Sequence, residues 1–599
     1  MKKNLPAKRG HAGFKNYAVN SILLFLFLGA LQAQVLAQGT WSKVTAVAPG
    51  AAGGGMLLLS DGSVICKSFS GGTDGIGNVY MKLTPDIHGS YANGTWSTIA
   101  PMHSTRLYYS SQVLKDGRVY VAGGEYGTGG SSGETYDPVT NVWTANAAIG
   151  SFVSDANSGI REDGKVVQAL VTGTLKGTKI WDPATNTYAV GPSCIGIHNE
   201  STWLKLADGS FLMVDRNTTK SERYIQSSNS WIADANVPVS LYDPFGLETG
   251  GAVLLPDGRG FFVGSLGHTA FYTPSGSAAP GTWAAGPDLP NGQGTPDAPI
   301  AIMVDGNVLI ACSPAATSSN HFPPPTSFYV YNYLTNTYTR INAPDGNLTV
   351  NIPVYEANLI DLPDGTVLYG AQNSNQYYVF KPSGAPLAAG KPTLKTIKSV
   401  GGGTFRVTGT LFNGISEGSN YGDDWQSNTN YPLLRITNGT NVYYARGFNW
   451  NSTGVRRGSL PDTFFIKPPA GLPHGTLQLQ VVVNGIASDP KIVNYFNGSF
   501  TTDDDADNVT AKNLSNATLL YPNPTKNNAT LQFTTSKTQH VSVELFDASG
   551  KRVSVLLSSE LQAGQNQVNI KTNNLYSGVY TIKIRTNEGV ESKTLTVQK

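Results

Sequence analysis

At 599 residues the chain exceeds what one hydrophobic core organises, so several domains are required. Only 14% of residues are charged and the net charge is +2, so nothing suggests a polyanion-binding surface and no nucleic-acid partner is expected. With 67 glycines, 34 prolines, 28 tyrosines and 9 tryptophans, the composition favours short strands joined by many turns, an all-β protein.

Residues 1–37 carry the pattern of a secretory signal peptide. A basic stretch (Lys2, Lys3, Lys8, Arg9, Lys15) precedes the apolar run SILLFLFLGAL, and Val35 and Ala37 are small residues before a cut after Ala37. The run is too short for a bilayer core that needs about 20 residues. No later segment is apolar for long enough to span, so the mature chain is expected to have no transmembrane segment. Three cysteines (Cys66, Cys194, Cys312) cannot all pair and match no zinc spacing, and they read as buried apolar thiols.

Over residues 38–390 an x-Asp-Gly turn between apolar runs recurs at Asp61, Asp116, Asp163, Asp208, Asp257, Asp305 and Asp364. Asp-Gly suits a two-residue hairpin with positive backbone angles, so each turn marks strand–turn–strand. Separations of 45 to 59 residues fit propeller blades of four strands. An aromatic closes each unit, and Trp96, Trp143 and Tyr188 each lie 20 residues before the next Asp-Gly. The seventh unit lacks that aromatic, but Trp41 lies 20 residues before Asp61. The N-terminal strand is therefore expected to complete the last of seven blades, leaving no long exposed edge.

Beyond the repeat, residues 391–497 alternate as short strands without Asp-Gly units and read as an immunoglobulin-like β-sandwich. Residues 498–517 read as a polar linker. Residues 518–599 alternate again, as a small C-terminal β-sandwich.

Two resemblances sharpen this division. Tyr521-Pro522-Asn523-Pro524, LFDASGKRV, LYSGVYTIKI and the terminal lysine resemble the C-terminal sorting domain of proteins exported by the type IX secretion system. That resemblance implies the secretion machinery as partner, and release or attachment at the outer-membrane surface. TRLYYSSQVLKDGRVYVAGG, VYEANLIDLPDG and the sandwich segment ending in NVYYAR resemble the galactose oxidase and glyoxal oxidase group of kelch-type propellers with an early-set sandwich. The oxidases hold copper with two tyrosines and two histidines, one tyrosine being cross-linked to a cysteine. Tyr108 and Tyr355 stand in the places of the two tyrosines, and Tyr126 in that of the aromatic shielding the radical. The cysteine position is Gly53, the histidine after Tyr355 is Glu356, and the sandwich histidine falls near Asn449. Two phenols without imidazole or thioether argue against copper; carboxylates suit calcium or magnesium instead.

Eight residues before each turn stand Gly53, Tyr108, Asp155, Glu200, Thr249, Asp297 and Glu356, with Glu248 one residue off. Composition alone would place about half an acid among seven positions. Four are present. These positions converge at the axial mouth opposite the Asp-Gly turns. Asp155, Glu200, Asp297 and Glu356 there could hold a cation, while Tyr108, Tyr126 and Tyr355 offer stacking faces for a glycan or small polar ligand. Acids so placed also serve structure, by accepting N–H groups from the adjacent blade. Three functional classes stay open: a secreted or surface binding module, a carbohydrate- or alcohol-active enzyme, and an adhesive scaffold. His198 could join the mouth but reads more readily as structural. His268 is expected to pack between blades. No helix follows GGTDGIG or GTGGSSG, so neither is expected to bind phosphate.

Overall fold

Seven times between Asp61 and Asp364 the chain reverses by the same device. The aspartate carboxylate accepts the N–H two residues on, from Ser63 onto Asp61 at 3.0 Å and so through to Thr366 onto Asp364 at 3.1 Å. The following glycine is left-handed in all seven turns, with φ between 79 and 94°. Its N–H returns to the carbonyl two residues before the aspartate, as from Gly62 to Leu59 at 3.0 Å, and Leu59 N–H donates to Ser63 O at 2.7 Å. This is a three-residue loop, a type I turn closed by a glycine bulge, rather than the two-residue hairpin expected from Asp-Gly. The aspartates keep ordinary negative φ, since a carboxylate capping the N–H two residues on has no need of the left-handed region.

The structure is a computed structural model describing residues 39–69, 75–155, 157–171, 176–418, 429–501, 518–535, 537–548, 550–586 and 589–599. The signal segment 1–37 and most of the linker lie outside the described residues. The chain divides into two units, Met1–Ile492 and Val493–Lys599. No helix among the described residues is long and apolar enough to cross a membrane.

In the first unit, among the described residues, seven antiparallel sheets follow one another as a β-propeller. Their innermost strands are Ala52–Leu58, Ser110–Val113, Ser158–Ile160, Trp203–Lys205, Ala252–Leu254, Ile300–Ile302 and Ala357–Asp361. The sixth sheet carries a short extra strand, Gln293–Gly294. The seventh takes its outer strand from the N-terminus: Thr40–Lys43 pairs with Tyr378–Lys381, placing Trp41 opposite Phe380. Three of the closing tryptophans donate the indole N–H to the end of the preceding blade, Trp41 to Asn342 O at 2.8 Å, Trp96 to Ala46 O at 2.9 Å and Trp143 to Ala100 O at 2.8 Å, while Trp283 donates to Ser221 Oγ at 3.2 Å. All three cysteines are buried and unpaired with one another, as the sequence suggests.

Strands Thr393–Gly401, Thr404–Thr410, Leu433–Asn438, Asn441–Phe448, Asp462–Lys467 and Gly475–Val483 pair antiparallel, with Asn441–Phe448 shared between the two halves of the sheet. Phe405, Val407, Leu434, Ile436, Phe464 and Leu479 form its buried side. This module closes the turn face of the propeller. Gly447 N–H donates to Ser60 O at 3.0 Å, Glu417 N–H to Leu254 O at 3.2 Å, and the buried Lys205 ammonium to Thr453 O at 3.3 Å.

In the second unit, strands Leu519–Tyr521, Asn528–Thr535 and Gly564–Lys571 form one sheet. Strands Gln539–Phe546, Arg552–Leu561, Gly578–Thr586 and Gly589–Val597 form another. Leu531, Phe533, Val543, Leu545, Ile570, Ile582, Ile584 and Leu595 meet in a common core.

Candidate functional site at the axial mouth

The position eight residues before each turn lies where the chain enters the innermost strand. Four of its occupants are left-handed: Tyr108 at φ 54°, Asp155 at 44°, Glu200 at 53° and Asp297 at 55°. For residues with a Cβ this conformation costs about 1–2 kcal/mol each. It is held by bonds passing from blade to blade. Glu200 N–H donates to Asp155 O at 3.1 Å, Thr249 Oγ1 to Glu200 O at 2.8 Å, and Asp297 N–H to Thr249 O at 3.1 Å. Two backbone N–H groups and one threonine hydroxyl thus link the four consecutive strand entries from Asp155 to Asp297.

Three carboxylates converge. One oxygen each of Glu200, Glu248 and Asp297 lies within 4.8 Å of the others. Asn199 links Asp155 to this group, its Nδ2 donating to Asp155 Oδ2 at 3.3 Å and to Glu200 Oε1 at 3.4 Å. Arg216 holds Asn199 through Oδ1 and also donates to Gly246 O at 3.3 Å. Burial pushes the Glu248 carboxyl up to about 7; the Arg216 guanidinium pulls against that rise and the Asp243 charge adds to it. Asp243 itself is fully buried and builds the loop, accepting N–H groups from Phe245, Gly246 and Glu248.

Of the four acids suggested as metal ligands, Glu200 and Asp297 belong to the converging trio, Asp155 is tied to it through Asn199, and Glu356 is not one of the three. Glu356 ends a short 3-10 turn, Val354–Glu356, and its carbonyl accepts Gln372 N–H at 2.9 Å. The third member of the trio is Glu248, which follows Leu247, a residue with left-handed backbone at φ 65°. The one-residue offset was the only sequence signal for it. The suggested stacking faces are paired with other rings: Tyr108 meets Tyr126 edge-on at 6.1 Å, and Tyr355 meets Phe322 at 4.9 Å. Tyr126 is 42% exposed and offers its ring to solvent.

His198 is buried away from solvent, as a structural histidine. Its Nε2 is 2.8 Å from Glu222 Oε1, and its Nδ1 accepts the Trp203 indole N–H at 3.0 Å. Its position repeats that of Arg106, ten residues before a turn, whose guanidinium is 3.0 Å from Glu134. Both glutamates also accept backbone N–H groups from the loop between blades, and both carboxyls are held below their ordinary value by those partners despite burial. His268 does not pack between blades. Its side chain is 44% exposed and its Nδ1 lies 3.0 Å from Asp288. It lies in the turn after a second strand, where the chain runs over the surface.

The donors do not fit the copper centre of the family resemblance. Beside Gly53, where the thioether cysteine would stand, is the buried Lys67 ammonium, 3.4 Å from Gly53 O and 2.7 Å from Gly75 O. A Cβ at Gly53 would strike Phe69 N at 2.7 Å, so no cysteine fits there on this backbone. Asn449 lines a cavity on the turn face with Leu114, Asp116 and Gly164, and Tyr108 is not part of that lining. Cys66 is on the neighbouring strand, opposite Met56.

Comparisons with known proteins bear on the two ends of this description. Residues 519–598 match the secretion system C-terminal sorting domain. The protein is therefore exported by type IX secretion to the cell surface or extracellular space. A stretch of 104 residues is 30% identical to the spermatocyte protein spe-26 of Caenorhabditis elegans; it covers 16% of this chain and 18% of that protein. Among solved structures, a fungal alcohol oxidase of the AA5 family in complex with copper overlaps with a TM-score of 0.46 at 13% identity, covering 78% of this chain and 99% of that one. Virginiamycin B lyase from Staphylococcus aureus overlaps with a TM-score of 0.39 at 11% identity, covering 57% of this chain and 98% of that one.

Proposed function

We propose that this exported propeller is a binding module whose axial mouth holds a polar ligand, a glycan or a cation, and that copper-radical chemistry is lost. One observation carries the reading: Glu200, Glu248 and Asp297 converge within 4.8 Å on a backbone held in the left-handed region at two of the three. Converging carboxylates repel, and the fold keeps them together at a cost in both charge and conformation. A cation or a set of hydroxyl donors relieves that repulsion. Tyr126 at the rim, 42% exposed, gives a sugar ring an apolar face.

The test is binding by the purified full chain, with a glycan panel and with calcium and magnesium titrations. Glu200→Gln and Asp297→Asn are expected to weaken the ligand found by roughly tenfold or more each, the loss of one charge-assisted contact. Stoichiometric copper with substrate-dependent peroxide release would overturn the reading. Binding indifferent to both substitutions would favour the adhesive scaffold.

A further inference from the structure

Beneath the sandwich, an amine and an amide line one small cavity. Leu57, Val113, Ile160 and Lys205 reach it from the innermost strands of the first four blades, and Asn430 and Trp450 from the sandwich. All six are buried, and the cavity of about 20 Å³ has room for about one water. The Lys205 Nζ lies 5.7 Å from the centre of the Phe211 ring and donates to Thr453 O at 3.3 Å. Burial pushes this amine down from the usual lysine range, against the pull of the Glu417 and Glu162 charges. The Asn430 amide is fixed at both of its atoms. Its Oδ1 accepts Gly418 N–H at 2.9 Å, and its Nδ2 donates to Asn413 O at 2.9 Å and to Ser416 O. A backbone N–H on the amide oxygen is placed to stabilise negative charge that develops there. Glu417, buried at 1% exposure, immediately precedes that donor, and its own N–H is held by Leu254 O at 3.2 Å.

We propose that Lys205 and Asn430 join in an isopeptide bond that fastens the sandwich to the fourth blade. Nζ, as a neutral amine, adds to Cγ of Asn430. The bond from Cγ to Nδ2 breaks, one proton passes from Nζ to Nδ2, and ammonia leaves. No oxidant or reductant is consumed. Gly418 N–H holds the oxygen through the step, and Glu417 carries the proton between the two nitrogens. In water a lysine amine is charged at neutral pH and is no nucleophile; burial frees its lone pair. The bond is independent of what the mouth binds. It gives an exported chain whose three cysteines are not joined to one another a covalent brace between two of its domains.

Peptide mapping of the purified full chain by mass spectrometry tests this. A branched peptide joining the segments around Lys205 and Asn430 is expected, lighter by one ammonia than the two together, and trypsin is expected not to cut after Lys205. Loss of ammonia from the whole protein does not suffice, because a chain cut after Ala37 begins with Gln38, whose cyclisation releases the same molecule. Lys205→Met is expected to abolish the branch, and Glu417→Gln to leave most of the chain unbranched. Asn430→Asp is expected to form the same branch with loss of water in place of ammonia. The wild-type map decides even where a variant fails to fold: Lys205 and Asn430 recovered only in separate linear peptides overturns the proposal. A branch undiminished in Glu417→Gln overturns the role of that carboxyl and upholds the bond.

Discussion

Lys67 shows what the departure from the oxidase pattern costs at a single residue. Its ammonium is held by two carbonyls in a buried setting, and burial pushes it down from 10.5 to about 7. The unfolded chain keeps that proton up to the ordinary lysine range, while the folded chain releases it near 7. The folded state is thus penalised below about pH 7, and stability rises as pH climbs from there towards the lysine range. Lys67→Met is expected to stabilise by about 1–3 kcal/mol at pH 6 to 7 and to flatten that rise. Thermal melts of both proteins across pH 6 to 10 check this, and parallel curves would contradict it. The mouth was partly legible at the same scale. Asp155, Glu200 and Asp297 stand in frame with the turns and could be read from spacing. Glu248 could not be ranked, because a left-handed Leu247 is invisible in a strand-period pattern.

At the scale of the element, the repeated turn separates backbone cost from packing cost. Gly164 is left-handed, and the nearest atom to a Cβ there is the flexible Lys115 side chain, at 3.1 Å. Gly62 is left-handed too, but a Cβ there would meet the Tyr444 ring of the sandwich at 2.6 Å. Gly164→Ala is expected to lose about 1 kcal/mol, the conformational term alone. Gly62→Ala is expected to lose clearly more, because the sandwich ring must also give way. Urea unfolding of the two variants measures the gap; equal losses would mean that the sandwich does not lean on this turn. The existence of each turn was readable from Asp-Gly between apolar runs. Its extra residue was not, because a two-residue hairpin and a three-residue loop with a glycine bulge share that dipeptide and differ in loop length and in which residues take positive φ.

At the scale of the molecule, export belongs to the C-terminal unit and the candidate chemistry to the first. Deleting residues 518–599 is expected to leave the protein inside the cell envelope rather than outside it, as immunoblots of cell and medium fractions would read. Equal amounts in the medium would contradict the role of the tail. The pairing of Thr40–Lys43 with Tyr378–Lys381 carries one more consequence, for timing. The earliest strand of the propeller to be synthesised is the last to acquire its neighbour, more than three hundred positions later. Contacts so distant along the chain form slowly. Until Phe380 arrives opposite Trp41 the ring stands open, with an unpaired strand edge on each side of the gap. The strand that gives the mature protein its closed circle is thus also the one whose late pairing sets when those edges disappear.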